Sequence, residues 1–265
     1  MINTLIKPFE RYLPENNRLE RIWKLAQVDF KKRYYNDYFG LVWALINPLF
    51  RMAIYYFVFT QIFTRKIENY HLYLFSGLIL WMYFAESSKR GLSTLLTKRY
   101  LIENIVFNRL DLFYSLSMSV MFGLLFNLVA YVGMSLFSSV FFSWTVFLLP
   151  IMLLQAYLVS VSFGLILSTL NIYFKDINHL WDMVLLAGFW VTPIFFRGEE
   201  ILERAPVLLY ANPMSGIIIN VRKVLLYSEL PDWNLLLIST VYAISLYIIG
   251  RFFFLKYSHK AAEKL

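Results

Sequence analysis

The sequence predicts an all-α integral membrane protein with six transmembrane helices, an N-terminal amphipathic interface helix and a re-entrant helix pair before the last span. Three observations carry that prediction. Of 265 residues, 59% are hydrophobic, 19% aromatic and only 16% charged, well outside the composition of soluble domains. Apolar stretches near the roughly 20 residues needed to cross a bilayer recur along the chain. Lysine and arginine are spread unevenly over the segments between them, and that bias sets orientation.

Residues 1–39 form a cytosolic segment and residues 40–265 a single transmembrane domain. The opening MINTLIKPFERYLPENN has no apolar core of the kind a cleavable signal peptide needs, so the first span acts as the insertion signal. Asn17 with Glu20 three residues later marks a helix start. Leu19, Ile22, Trp23, Ala26 and Phe30 then recur at helical spacing, with Arg18, Arg21, Lys24 and Lys31 on the other side. Such a helix suits the plane of the inner leaflet, either as an anchor or as a platform for a cytosolic partner. From Asp29 to Pro48, DFKKRYYNDYFGLVWALINP, a basic and tyrosine-rich run passes straight into apolar sequence. Lys31, Lys32 and Arg33 hold this end in the cytosol.

The predicted spans are about 40–63, 70–88, 112–137, 144–174, 180–196 and 235–255. The second and fifth are the weakest: Leu72 to Ala85 supplies only 14 purely apolar residues, and Leu180 to Phe196 only 17. With the N-terminus inside, segments 1–39, 89–111, 175–179 and 251–265 carry 18 of the 25 lysines and arginines. The outside segments carry six, and Arg51 alone lies within a span. Both termini therefore belong in the cytosol. Ahead of the last span, Ile201 to Tyr210 and Met214 to Tyr227 are each too short to cross and flank Ala211, Asn212 and Pro213. A re-entrant pair over 201–227 accounts for them, with helices lying flat on the outer interface as the alternative.

Several chemistries are missing. A net charge of +8 suits topology and anionic headgroups, and no nucleic-acid partner is expected. Cysteine is absent, which excludes disulfides and thiolate metal sites. There is no GxxxxGK[ST] phosphate loop, and His71, His179 and His259 lie far apart without HExxH spacing, so no metal site is expected. Glu86 and Asp182 fall near cytosolic span ends, which leaves a proton-coupled carrier without a midplane relay.

One intramembrane pattern stands out. Trp43, Asn47, Arg51, Tyr55 and Phe59 follow at four-residue intervals along one face of the first span. Arg51 lies roughly 17 Å beyond the start of the span at 1.5 Å per residue. A central arginine costs about 2.5–3.5 kcal/mol even on mild insertion scales. Arg51 therefore faces a cavity or a partner such as Glu86, as a helix-holding pair or as part of a pathway. Pro48 frees the carbonyl of Ala44, for which Asn47 is available.

Four segments in order are DFKKRYYNDYFGLVWALINPL, LLTKRYLIENIVFNRL, YFKDINH and ANPMSGIIINVRKVLL. Together they resemble the membrane subunit of the ABC exporters that move bacterial surface polysaccharides: O-antigen, capsule and teichoic acid. The resemblance implies a permease in the bacterial cytoplasmic (inner) membrane, working as two copies with two copies of a separate cytosolic ATPase. ATP and Mg would sit on that partner, with no cofactor on this chain. The cargo would be a lipid-linked polysaccharide, O-antigen ahead of teichoic acid or capsule. In the family the loop between spans two and three docks on the ATPase, which maps to Lys98, Arg99, Tyr100, Glu103 and Arg109. The re-entrant pair forms an outer gate, here with Asn212, Pro213, Arg222 and Lys223. The first and fifth spans line the path. That assigns it Trp43, Asn47, Arg51, Tyr55, Phe59, Trp181 and Trp190, whose aromatic faces offer apolar area to sugars. Lys31, Lys32 and Arg33 would meet the lipid pyrophosphate at the cytosolic entrance. A membrane-embedded glycan-modifying enzyme is the reading from another class, and it lacks the acid, base or metal cluster it would need.

Overall fold

The structure, a computed structural model, describes residues 17–34, 39–62, 67–104, 108–138, 140–198, 200, 203 and 206–262. Parts of four expected elements lie outside the described residues: 1–16 and 35–38 of the N-terminal segment, Phe63 of the first span, 105–107 of the coupling loop, and 201–202 and 204–205 of the re-entrant stretch. The described elements are all helical. They are α1 (Arg18–Tyr34), α2 (Trp43–Phe57), α3 (Tyr70–Thr97), the short α4 (Arg99–Asn104), α5 (Leu110–Phe137) and α6 (Leu149–Tyr173). There follow α7 (Ile177–Val191), α8 (Pro206–Ala211), α9 (Pro213–Leu225) and α10 (Trp233–Ala262).

Among the described residues, four stretches are long and apolar enough to cross a membrane: Gly40–Ile62, Leu110–Phe137, Trp144–Tyr173 and Trp233–Ser258. They coincide with the first, third, fourth and sixth expected spans. Helix α3 is as long, at 28 residues, but carries Glu86, Lys89 and Arg90 in its second half. Its position explains why. It packs against α2, α5, α6, α7 and α9, and nearly all of Tyr70–Phe84 is buried inside the chain. A helix surrounded by protein does not need a lipid-compatible surface, so its apolar run is short. Helix α7 has 15 residues and ends at Val191, five residues before the expected Phe196. The chain there turns through Pro193 and Ile194.

Helices in lipid gain little from apolar contact with one another, so close packing and interhelical hydrogen bonds must hold them. Both are present. Gly91 of α3 and Gly164 of α6 face each other so closely that a Cβ on Gly91 would stand 2.6 Å from the Gly164 Cα. Gln155 of α6 donates to the Leu236 carbonyl and Thr240 Oγ1 of α10, and Asn171 donates to the Leu92 carbonyl of α3. Such bonds contribute about 0.6–2 kcal/mol each.

Helix α1 starts as the sequence indicates, with the Asn17 side chain accepting from the Glu20 N–H at 3.3 Å. Its buried residues are Ile22, Leu25 and Ala26, while Leu19 and Trp23 stay exposed. It runs along α5 in the same direction. Arg18 and Arg21 at its start reach Asp111, and Arg33 at its end reaches the Ser119 carbonyl.

Pro48 inside α2 frees the Ala44 carbonyl, as expected, but Asn47 does not take it. Asn127 of α5 donates to that carbonyl at 3.1 Å, while Asn47 points to the exposed side. A residue on the neighbouring helix satisfies the loosened backbone and joins two helices at once.

Candidate functional site

Helix α2 lies at the margin of the bundle. Trp43, Ile46, Phe50, Ile54 and Phe57 are exposed, and so is Arg51. The expected Glu86 partner for Arg51 is not realised, because Glu86 is already held. Its Oε1 accepts from Arg33 Nη1 at 2.6 Å and from Arg90 Nε at 3.1 Å. Arg51 makes no hydrogen bond or ion pair among the described residues, and its charge faces outward from an apolar helix.

Behind the first half of that face is a cavity of about 550 Å³ between the end of α1 and helices α2, α3 and α5. Arg33, Trp43, Asn47, Glu86, Arg90 and Asn127 line it. Two residues expected on a path and one expected at a pyrophosphate entrance thus share one concavity. Lys31 and Lys32 lie outside it, on the exposed side of the last turn of α1.

Further along α2 the other candidates enter an aromatic cluster centred on Phe195, which is fully buried. Phe59 stacks on Phe195 with centroids 4.7 Å apart, Tyr55 meets it edge-on at 5.1 Å, and Trp190 stacks on it at 5.2 Å. Tyr55 and Trp190 keep exposed edges, whereas Phe59 is buried. Trp181 is buried as well, donating Nε1–H to Ser88 Oγ at 3.1 Å and stacking on Phe163. Its surroundings are those of a packing residue within this subunit.

The segment between α3 and α5 forms the short helix α4. Lys98 makes an ion pair with Asp29 of α1, which ties this segment to the N-terminal helix. Arg109 reaches the Ser258 carbonyl of α10 at 3.4 Å. Arg99 and Tyr100 remain exposed, and the Glu103 side chain lies outside the described residues.

Helices α8 and α9 break at Asn212, whose side chain accepts from Met214 N–H at 3.0 Å and caps α9, with Pro213 in its first turn. Asn and Pro suit those positions because the cap supplies an acceptor and proline lacks only an N–H that has no helical partner there. Asn212 also donates to Thr192 Oγ1 at 2.6 Å, holding the break against the end of α7. Arg222 is buried. It donates to the carbonyls of Tyr73 at 3.1 Å, Ile194 at 3.0 Å and Pro193, with its guanidinium 3.6 Å above the Tyr73 ring. Lys223 is half-buried and lines, with Arg222, Arg197 and Glu229, a second cavity of about 300 Å³. No group of three or more His, Cys, Asp or Glu side chains converges among the described residues.

The family model described as ABC-2 type transporter matches residues 20–226. The chain belongs to that family. It is therefore the membrane part of an ABC-2 transporter, a multi-pass subunit whose work is transport. Similar relatives include two proteins named O-antigen export system permease protein RfbA from Klebsiella pneumoniae. They are 29% identical over 249 residues and 30% identical over 248, each alignment covering 91% of this chain and 93% of the relative. A protein of the same name from Myxococcus xanthus is 25% identical over 210 residues, covering 78% of this chain and 81% of the relative.

Within this ABC-2 subunit, sequence reasoning missed Arg90, Asn127, Phe195 and Asp111 as members of the polar and aromatic clusters. Asp111 and Asn127 had a signal: each is an isolated polar group in the apolar segment 110–137, and such groups seek partners within the bundle. Phe195 had none, being one of 25 phenylalanines.

Proposed function

We propose that this chain is the transmembrane subunit of an ATP-driven exporter that moves lipid-linked O-antigen across the bacterial inner membrane. It would act as two copies with two copies of a separate cytosolic ATPase. The observation that carries this reading is similarity to O-antigen export permeases over nine-tenths of the chain. The outward face of α2 supports it. An arginine left in lipid costs about 2.5–3.5 kcal/mol or more, so that face calls for cover, and a second copy enclosing a path supplies it. Trp43, Asn47, Arg51, Tyr55 and Trp190 would then meet the polymer, with Phe59 and Trp181 backing them.

The same reading takes α3 as the second span and α7 as the fifth, with α8 and α9 re-entrant from the outside and both termini in the cytosol. The charge bias and the Asn212 break support that arrangement. Deleting the gene is expected to leave a surface polysaccharide stranded on its lipid carrier inside the cell. No accumulation of any carrier-linked glycan would overturn the exporter reading, and a stranded polymer other than O-antigen would overturn the assignment of cargo.

Two further results are expected. Arg99→Glu combined with Tyr100→Ala alters the exposed pair of α4 and should weaken ATPase docking about ten-fold or more, the scale of a reversed interfacial charge. Insertion should be unaffected, and normal ATPase co-purification in this variant would remove α4 from the coupling surface. Re-entry is tested with single cysteines, which report cleanly because the chain has none. Cysteines at Glu203 and Tyr227 should react with an impermeant thiol reagent from outside. A cysteine at Tyr210, which is 41% exposed in the isolated chain, should not react. Equal reaction at all three would make the segment a surface loop.

A further inference from the structure

We propose that Arg33, Glu86 and Arg90 form an exchangeable anion site, in which the phosphate of an inner-leaflet amphiphile binds between the two guanidiniums by displacing the Glu86 carboxylate. This deepens the export reading, since a carrier lipid's diphosphate is one such group, but the binding itself is measurable without export.

The site is built on one buried cation and two partly exposed groups. The Arg33 side chain is only 6% exposed, donates Nη2–H to the Ser119 carbonyl at 3.3 Å, and lies 4.5 Å above the Tyr34 ring. Gly123 makes room for it, because a Cβ there would stand 2.9 Å from Arg33 Nη2. Glu86 and Arg90 are each 40% exposed at the side chain and open to the cavity. A single carboxylate oxygen bridges both guanidiniums, so the carboxylate occupies the position an anionic oxygen of a ligand would take.

Two features point to a ligand larger than that carboxylate. Arg33 Nε is buried and has no hydrogen-bond partner among the described residues, leaving a donor for a second oxygen. Buried donors of this kind are costly unless something meets them. Asn127 Oδ1, also lining the cavity, is a buried acceptor in the same condition, suited to a hydroxyl. With one carboxylate against two guanidiniums, the cluster keeps one positive charge while Glu86 is in place and two when it swings out. An entering phosphate repels Glu86 and gains the planar double donors that arginine offers to phosphate oxygens. Trp43 and Asn47 at the rim place an aromatic face and an amide next to whatever follows the phosphate.

The test uses the full chain in nanodiscs of zwitterionic lipid, with three probes: a short polyprenyl diphosphate, phosphatidylglycerol and the uncharged polyprenol. Glu86→Gln is expected to tighten phosphate-lipid binding by about ten-fold, because it removes the competing charge. Arg90→Gln and Arg33→Gln should each weaken binding about ten-fold. A carboxylate that merely holds helices together predicts no gain in affinity and a lower melting temperature for Glu86→Gln. Unchanged or weaker binding in folded Glu86→Gln overturns the proposal. Should that variant fail to fold, unchanged binding in Arg90→Gln does the same, since Arg90 lies at the more exposed side. Preference for the diphosphate assigns the site to cargo, and equal affinity for phosphatidylglycerol assigns it to leaflet phospholipid. Equal binding of polyprenol shows that phosphate is not recognised and overturns it. A cell that exports normally alongside negative binding results loses this site alone, while the exporter reading stands.

Discussion

Replacing Arg222 with methionine is expected to destabilise the subunit by about 2–4 kcal/mol, and replacement with lysine should be no better. The guanidinium is buried and bonded to three carbonyls from two other parts of the fold: Tyr73 at the start of α3, and Pro193 and Ile194 in the turn after α7. The Tyr73 carbonyl keeps a second donor in Ser76 Oγ at 2.9 Å. The other two carbonyls lose a side-chain donor when the fork is removed. Each buried acceptor left unmet costs about 1–3 kcal/mol, and the contact over the Tyr73 ring adds about 2 kcal/mol when desolvated. Relief of the desolvated charge returns part of this, which keeps the net below the sum. Lysine retains the charge but lacks the planar fork, so a compact ammonium would be buried with fewer partners. Thermal unfolding of purified protein orders the variants, and a lysine variant close to the parent would show that the site needs charge alone. Because α9 and the α7 turn are joined by this one side chain and by Asn212, export should fall in the methionine variant at temperatures where the protein remains folded.

The sequence made the class, the long spans and the break at Asn212 legible, since each rests on local signals: apolar length, charge near span ends, and a cap followed by proline. What it could not supply was lateral position. Arg222 reads as one of a pair of outer-gate cations in the re-entrant stretch, Arg222 and Lys223, yet helix geometry turns one fully inward and leaves the other half-buried. Glu86 reads as a partner for Arg51 because a charge within a span needs one. The nearer cations, though, come from α1 and from the next turn of α3. Adjacency in sequence offers Asn47 to the Ala44 carbonyl, while the donor comes from 83 residues away. The weak hydropathy of the second expected span likewise reflects its place at the centre of the bundle, which no single-sequence window records.

Substituting Arg18 and Arg21 together with glutamine should release α1 from α5 and cost about 3–5 kcal/mol, the scale for stranding a buried charge. Asp111 is fully buried at the first turn of α5. Its Oδ1 accepts from Arg18 Nε at 2.8 Å, and its Oδ2 from Arg21 Nη2 at 2.7 Å. The hydrogen bond to Asp111 raises the Arg18 pKa above its ordinary value, which favours the charged guanidinium in the pair. The three groups are unequally exposed, with Arg18 side chain 49%, Arg21 14% and Asp111 0%, and that decides which loss is worse. Without the arginines the carboxylate has no partner for as long as α1 covers it, and undocking of α1 is what relieves it. Without the carboxylate, in Asp111→Asn, Arg18 can turn outward and the cost falls to about 1–3 kcal/mol. The triple variant, with Asp111→Asn added to the two glutamines, should therefore regain part of what the double variant loses, a coupling of about 0.5–3 kcal/mol. Trp23 and Phe122, with ring centroids 5.2 Å apart, give the readout. Cysteines at these two positions in the otherwise cysteine-free chain should be joined by a short bifunctional thiol reagent in the parent and in the triple variant, and not in the double. Equal cross-linking in all three would mean that Ile22, Leu25 and Ala26 hold α1 by packing alone.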